Sequence, residues 1–559
     1  MTDRNTQAPA LHKIAKRRGF SPDLWSAGAL LIAFLVVLPI VSVIWIAFHP
    51  SENIWPHLMA TTLPRYLANS FVMMLSVGVL SALIGVGAAW LVAMYRFAGV
   101  RWLEWLLLFP LAIPAYVGAY ALVDFLEYAG PVQTWMRDLF GWSTSRDYWF
   151  PQIRSRGAAV LVMSLSLYPY VYLLTRSAFR EQSGNTYDVA RALGAGPVER
   201  FYRVGLPLVR PAIAAGMAIV MMETVSDFGT VEFFAVQTLT TGIFTVWLEA
   251  NNAGGAAQIA GVVLLLVLLL VGLEKTSRRN QRFHEGARHT QPIDRILLSG
   301  PRGWLATLFC LLPVLGGFVL PTSVMLSHAL ENTEYWANPN LGRALLNSVT
   351  VGGGAAVLTV LAAVFLVYGV RLTGRRIPRL TMPLTTVGYA APGAVLAVGI
   401  LIPMAAMDHA LADFTEWATG ADIGLLMTGS GFAIVFAYCV RFFAIAQGAA
   451  DGAMGRISPS LPMAARSLGR TAGGTLRTVY APLIRGSLLT ALLLVFVDCV
   501  KELPATLLLR PFNYNTLSTL VYEQASLENI GEASPAALLV IGVGMLAVLL
   551  LARSNRLSR

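Results

Sequence analysis

Residues 188–207 read D-V-A-R-A-L-G-A-G-P-V-E-R-F-Y-R-V-G-L-P, and residues 463–482 read M-A-A-R-S-L-G-R-T-A-G-G-T-L-R-T-V-Y-A-P. At an offset of 275, Ala190, Arg191, Leu193 and Gly194 meet Ala465, Arg466, Leu468 and Gly469, and Pro207 meets Pro482. Matched spacing of this kind marks an internal repeat. Each copy predicts a helix, a turn and a second short helix. In the first, Asn185 or Thr186 caps a helix over 187–193, Gly194 supplies the left-handed conformation that ends it, Pro197 opens the next helix and Pro207 closes it. In the second, Ser460 caps, Pro462 starts, Gly469 stops, Thr471 caps again and Pro482 precedes the next apolar run. The small side chains of Ala190, Ala192, Ala464 and Ala465 let another surface approach closely.

What surrounds these two stretches is apolar. Of 559 residues, 56% are hydrophobic and only 13% charged, with a mean hydropathy of +0.63. That is more apolar surface than a soluble fold of this length can hide, so a second apolar solvent is required. A bilayer core takes about 20 residues per helix. Runs of that length lie near 24–48, 68–95, 102–126, 158–179, 209–229, 256–274, 302–328, 345–370, 380–407, 425–448, 486–508 and 535–552. They predict an all-α integral membrane protein of about twelve spans and exclude a soluble enzyme, a secreted disulfide scaffold and a disordered chain. The run at 24–48 is too long for a cleaved leader, and no small-residue cleavage site follows it. Cys310, Cys439 and Cys499 all fall inside apolar runs. The seven histidines are scattered, with no metal-ligand spacing and no nucleophile constellation.

The net charge of +11 reads as topology rather than nucleic-acid binding, because the basic residues fall in short clusters between apolar runs. With an inside amino terminus and twelve spans, about 32 of the 41 Lys and Arg lie on the cytoplasmic side. Both termini are then cytoplasmic. The outer loops carry acids instead: Glu232 and Glu249; Asp408, Asp413, Glu416 and Asp422; Glu523, Glu528 and Glu532.

The repeat extends beyond the quoted stretches. Asn69-Ser70 corresponds to Asn347-Ser348, and Ile113-Pro114 to Ala391-Pro392, at an offset of 278. The chain divides into a first repeat at 1–274, a polar link at 275–301 and a second repeat at 302–559. Six spans per repeat give parallel halves related by an axis along the membrane normal.

The spacing Glu-Ala-Ala, three residues, Gly, nine residues, then Ile-x-Leu-Pro is the signature loop of the membrane subunits of bacterial ABC importers, which this chain resembles twice. The resemblance implies the type I permease fold. It also implies that Asp188, Ala190, Gly194 and Pro207, with Ala464, Ala465, Gly469 and Pro482, form two coupling loops seated on two copies of a cytoplasmic ATPase subunit. Asp188 and Met463 replace the usual Glu, and Ala481 the usual Leu. Two further segments, 226–231 (S-D-F-G-T-V) and 501–513 (K-E-L-P-A-T-L-L-L-R-P-F-N), resemble fused permeases of the ferric-iron importer class, close to thiamine, phosphonate, sulfate and polyamine permeases. The resemblance implies a bacterial inner-membrane location, a periplasmic solute-binding protein as partner and ferric iron as cargo. No G-x-x-x-x-G-K-[ST] occurs in the sequence, so ATP and Mg²⁺ belong on the partner ATPase and no cofactor is expected here.

Ionisable groups at bilayer depth are costly and mark function by default. Glu223 and Asp227 share a helical face in the fifth run, and Asp498, Lys501 and Glu502 lie close together in the eleventh; Arg441 sits in the tenth. At the 275 offset Glu223 meets Asp498 and Asp227 meets Glu502, which reads as a ring of acids around a path for a hard cation. Structural pairing of these acids by Lys501 and Arg441 is the alternative. Tyr116, Tyr120, Tyr168, Tyr170 and Tyr172 are read as packing or interfacial residues rather than an iron site. Gly85 and Gly87, with Gly352 to Gly354, are read as points of close helix packing. An ion-coupled secondary transporter would share the parallel halves and buried charges, but would have no need of twin Gly/Pro loops.

Overall fold

The computed structural model describes residues 24–182, 184–279, 295–421 and 424–557. The basic cluster at 13–18, most of the link at 275–301, Asp422 and Arg559 lie outside them. Among the described residues, eleven helices are long and apolar enough to cross a membrane: Leu24–Phe48, Leu63–Met94, Arg156–Arg180, Pro197–Ser226, Ala253–Glu274, Pro301–Glu331, Pro339–Thr373, Gly393–Thr419, Phe432–Gly455, Ala472–Lys501 and Ile530–Leu550. The stretch expected as one helix over 102–126 is instead a pair, Val100–Ala112 and Ala115–Phe140, bent by 95°, the geometry of a broken span or a re-entrant loop. Counting it third, the spans are numbered first to twelfth in chain order.

The bend falls at Ile113-Pro114, where the backbone turns extended (ψ of 122° and 141°). Proline has no N–H and disfavours helix in the residue before it. The same happens at Ala391-Pro392 (ψ of 126° and 147°), so the ninth span begins at Gly393 rather than near 380.

Matching bonds hold the two halves. Asn69 Nδ2 donates to the Gln237 carbonyl at 2.8 Å, and Asn347 Nδ2 to the Asn515 carbonyl at 2.9 Å. Ser70 Oγ accepts from Leu239 N–H at 2.9 Å, and Ser348 Oγ from Leu517 N–H at 2.7 Å. Each pair pins a short helix, Leu239–Phe244 or Leu517–Ser526, that opens with a Thr-Thr capping box.

Close packing follows the small residues. A Cβ on Gly85 would lie 2.9 Å from both the Tyr168 carbonyl and the Tyr172 N of the fourth span, which fixes glycine there. Gly353 and Gly354 have nothing within 4 Å, so the packing expected of that triplet is confined to Gly352, against Cys499 and Phe496.

Candidate functional site

The two repeated loops fold alike. The helices Gly184–Ala192 and Ser460–Ser467 both end in a left-handed glycine, Gly194 (φ +88°) and Gly469 (φ +81°). The terminal carbonyls are closed by Gly194 N–H to Arg191 and Ala195 N–H to Ala190, and by Gly469 N–H to Arg466 and Arg470 N–H to Ala465, at 3.0 to 3.1 Å. This is the six-to-one and five-to-two closure that a Cβ-free residue permits. Asp188, Ala192 and Ala464 are exposed, and Ala190 and Ala465 are half-buried. Leu193 and Leu468, at equivalent positions, are 83% and 85% exposed.

Three expectations need correction. Asn185 and Thr186 lie inside the first turn of Gly184–Ala192, so neither caps it, and Ser460 is the first helical residue rather than the cap. Pro207 closes nothing: helix continues through it, as it does through Pro482, which precedes the apolar run of the eleventh span as expected. Each follows a π-helical turn, Arg200–Gly205 or Leu476–Tyr480, so the missing proline N–H falls where the hydrogen-bond ladder is already shifted. Pro197 and Thr471 act as expected, Thr471 Oγ1 accepting from Gly474 N–H at 3.1 Å.

Each loop sits in an aromatic socket that sequence reasoning missed. Trp90 of the second span packs on Tyr187 (5.9 Å between centroids) and Phe201 (5.2 Å). Tyr368 of the eighth span, at the 278 offset, packs on Tyr480 (5.3 Å) and donates its hydroxyl to the Ala472 carbonyl at 2.6 Å. The offset itself would have paired Trp90 with Tyr368. These contacts tie each loop rigidly to the membrane helices.

The intramembrane charges converge on one cavity of about 340 Å³, lined by Glu223, Asp227, Arg441, Asp498, Lys501 and Glu502 together with Tyr170, Tyr389, Ser166 and Ser226. Its walls include the ends of the fifth and eleventh spans and the break at Ile113-Pro114. The four acids, expected to act alike, divide into two pairs. Asp227 accepts from the N–H groups of Thr230 (3.0 Å) and Val231 (3.2 Å) and from Thr230 Oγ1 (3.0 Å). Glu502 accepts from the N–H groups of Ala505 and Thr506 (both 3.0 Å) and from Thr506 Oγ1 (2.8 Å). Both carboxylates therefore hold the first turns of Gly229–Phe233 and Pro504–Leu509. Glu223 and Asp498 make no hydrogen bond or ion pair among the described residues, and they face the cavity.

The cations are unsymmetrical. Lys501 Nζ donates to the Leu111 carbonyl at 2.7 Å, satisfying a backbone acceptor left open where the third span breaks. Arg441 buries Nη1 with no hydrogen-bond partner among the described residues. At the 275 offset these two positions are Ser226 and Ser166, so both cavity cations come from one half. Among the described residues no group of three or more His, Cys, Asp or Glu is placed to hold a metal ion. Tyr120, Tyr168 and Tyr172 are buried in the packing, whereas Tyr116, Tyr170 and the unanticipated Tyr389 line the cavity.

The acids expected in the outer loops also sort themselves. Glu528 pairs with Arg154 at 2.7 Å, Glu523 pairs with Arg510, and Glu532 accepts from Asn338 at 2.9 Å. Asp408 is buried, taking N–H groups from Leu426, Met427 and Thr428. Glu232 and Glu249 are exposed without ion pairs among the described residues.

Residues 81–279 match the family described as binding-protein-dependent transport system inner membrane component. The chain is 26% identical over 494 residues to the Fe(3+)-transport system permease protein FbpB 2 of Haemophilus influenzae, covering 87% of this chain and 89% of that protein. It is 22% identical over 532 residues to the ferric transport system permease protein FbpB of Actinobacillus pleuropneumoniae, covering 90% and 74%. The sulfate transport system permease protein CysT of Escherichia coli aligns at 29% identity with 38% of the chain and 76% of its own length. With eleven helices apolar enough to cross a membrane among the described residues, this chain is a multi-pass membrane protein, similar along most of its length to ferric transport permeases and, over residues 81–279, to the inner membrane components of binding-protein-dependent transport systems.

Proposed function

We propose that the chain carries ferric iron, delivered by a periplasmic binding protein, across the bacterial inner membrane into the cytoplasm. Similarity to ferric permeases along nearly the whole chain supports the cargo. Residues 1–274 and 302–559 act as two permease repeats joined by the link at 275–301, with both termini cytoplasmic. Each repeat presents its loop, 186–207 or 461–482, to one copy of an ATPase subunit, and ATP and Mg²⁺ are bound there rather than on this chain.

One observation carries the reading. Two helices, 275 residues apart, end in the same glycine closure and expose a leucine at the same position, Leu193 and Leu468. An exposed leucine on a rigid, socketed protrusion is better placed to enter a partner's groove than to face water. Glu223 and Asp498 would supply the free negative charge of the path. The test is purification of the chain with its ATPase: two ATPase copies per chain are expected, and a single copy would refute the paired docking.

A further inference from the structure

Where the second span ends, the chain forms a pocket that plays no part in coupling or transport as described above. It measures about 630 Å³ and is lined by Arg96, Phe97, Gly99, Val100, Arg101, Trp102 and Arg295. Three of its seven lining residues are arginines. Local structure brings them together: Tyr95–Arg96 pairs in parallel with Ile296–Leu297, Tyr95 opposite Ile296 and Arg96 opposite Leu297, which leaves Arg295 just ahead of the paired strand. Leu298 N–H donates to the Arg96 carbonyl at 2.8 Å, and Thr307 Oγ1 donates to the Ala98 carbonyl at 2.8 Å. Gly99, at φ +77°, then turns the chain into a short helix with Arg101 in its first turn.

Charge is unbalanced here. Arg295 reaches Glu104 at 3.8 Å, but Glu104 is already paired with Arg176 and with Arg180 (2.8 Å). Arg96 and Arg101 are exposed and have no carboxylate within ion-pair distance among the described residues. The pocket therefore presents guanidinium donors in excess of acceptors, the arrangement that suits phosphate oxygens.

Its position identifies the source of the phosphate. The pocket lies on the coupling-loop side, because Trp90 contacts both Tyr95 beside the pocket and Tyr187 of the coupling helix. Trp102 on its rim is 76% exposed, and Trp304, one turn before Thr307, is 69% exposed. Exposed tryptophans at a span end mark the depth of lipid headgroups. We infer that Arg96, Arg101 and Arg295 bind the phosphate headgroup of an anionic membrane lipid, holding the second span to the segment that leads into the second half.

The test uses the full chain in detergent with an equal mixture of dioleoyl phosphatidylglycerol and dioleoyl phosphatidylcholine, the retained lipids being counted by native mass spectrometry. Wild type should retain phosphatidylglycerol in preference, and the preference should fall by about fivefold for each arginine removed in R96Q and R101Q. The charge-preserving R96K/R101K variant should keep most of it. Thermal unfolding in phosphatidylcholine nanodiscs should match wild type for every variant, because neither side chain has an ion pair to lose. Equal retention of the two lipids by wild type, or an intact preference in R96Q/R101Q, would overturn the inference. Displacement of the lipid by millimolar inorganic phosphate would also overturn it, in favour of a small-anion site.

Discussion

Replacing Glu502 with Gln removes charge from the cavity and also removes a helix cap, and the two effects separate when Glu223→Gln is measured beside it. The Glu502 carboxylate takes two N–H groups at 3.0 Å and a hydroxyl at 2.8 Å. An amide keeps one acceptor oxygen and turns an NH₂ toward a backbone N–H, while Thr506 Oγ1 can reorient to accept. One charge-assisted bond to a backbone donor is lost, and a buried N–H is orphaned. Hydrogen bonds to charged groups contribute about 1.5–3 kcal/mol and an orphaned donor costs a similar amount, so roughly 2–4 kcal/mol of destabilisation is expected. Glu223 has no such bonds to lose, and Glu223→Gln should be neutral or slightly stabilising because a buried charge disappears. Thermal unfolding of the purified variants reads stability, and iron uptake in proteoliposomes reads transport. Glu502→Gln should unfold earlier than wild type; Glu223→Gln should unfold with wild type yet transport more slowly. Equal stability of the two variants would refute the division of the acids into caps and path.

Asp227→Asn should resemble Glu502→Gln in unfolding early, by the loss of the bonds to Thr230 and Val231, and a wild-type transition would contradict that. Lys501→Met strands the Leu111 carbonyl and should cost about 1–3 kcal/mol by the same unfolding measurement. Leu193→Asp and Leu468→Asp should leave unfolding unchanged, since both side chains are exposed, while abolishing stimulation of the partner ATPase. Glu232→Gln with Glu249→Gln should reduce the salt dependence of stimulation by the loaded binding protein. Glu523→Gln should not, because that carboxylate is held by Arg510.

Apolar run length and the two copied loops were enough to read the membrane class, the approximate number of crossings and the glycines that end the two repeated loop helices, because each depends on local sequence. What sequence concealed depends on distant partners. The four acids look equivalent by spacing, yet Asp227 and Glu502 meet backbone donors three and four residues on, whereas Glu223 and Asp498 meet none. That difference comes from where the fifth and eleventh helices end. Pro207 looked like a terminator because nothing local shows that a π turn precedes it. The outer acids looked like one surface until Arg154, Arg510 and the 426–428 backbone claimed their own. Tyr389 entered the cavity through a helix break whose direction only the packed structure gives.

The most direct measurement is uptake of radioactive ferric iron into proteoliposomes containing this chain and its ATPase, with binding protein and iron on one face and ATP on the other. Uptake should require both ATP and the binding protein, should persist when ion gradients are collapsed, and should be lost in the Leu193→Asp, Leu468→Asp double variant. Uptake without ATP that follows a proton or sodium gradient, or uptake undiminished in that variant, would contradict the assignment of this chain as an ATP-driven permease coupled through its two loops.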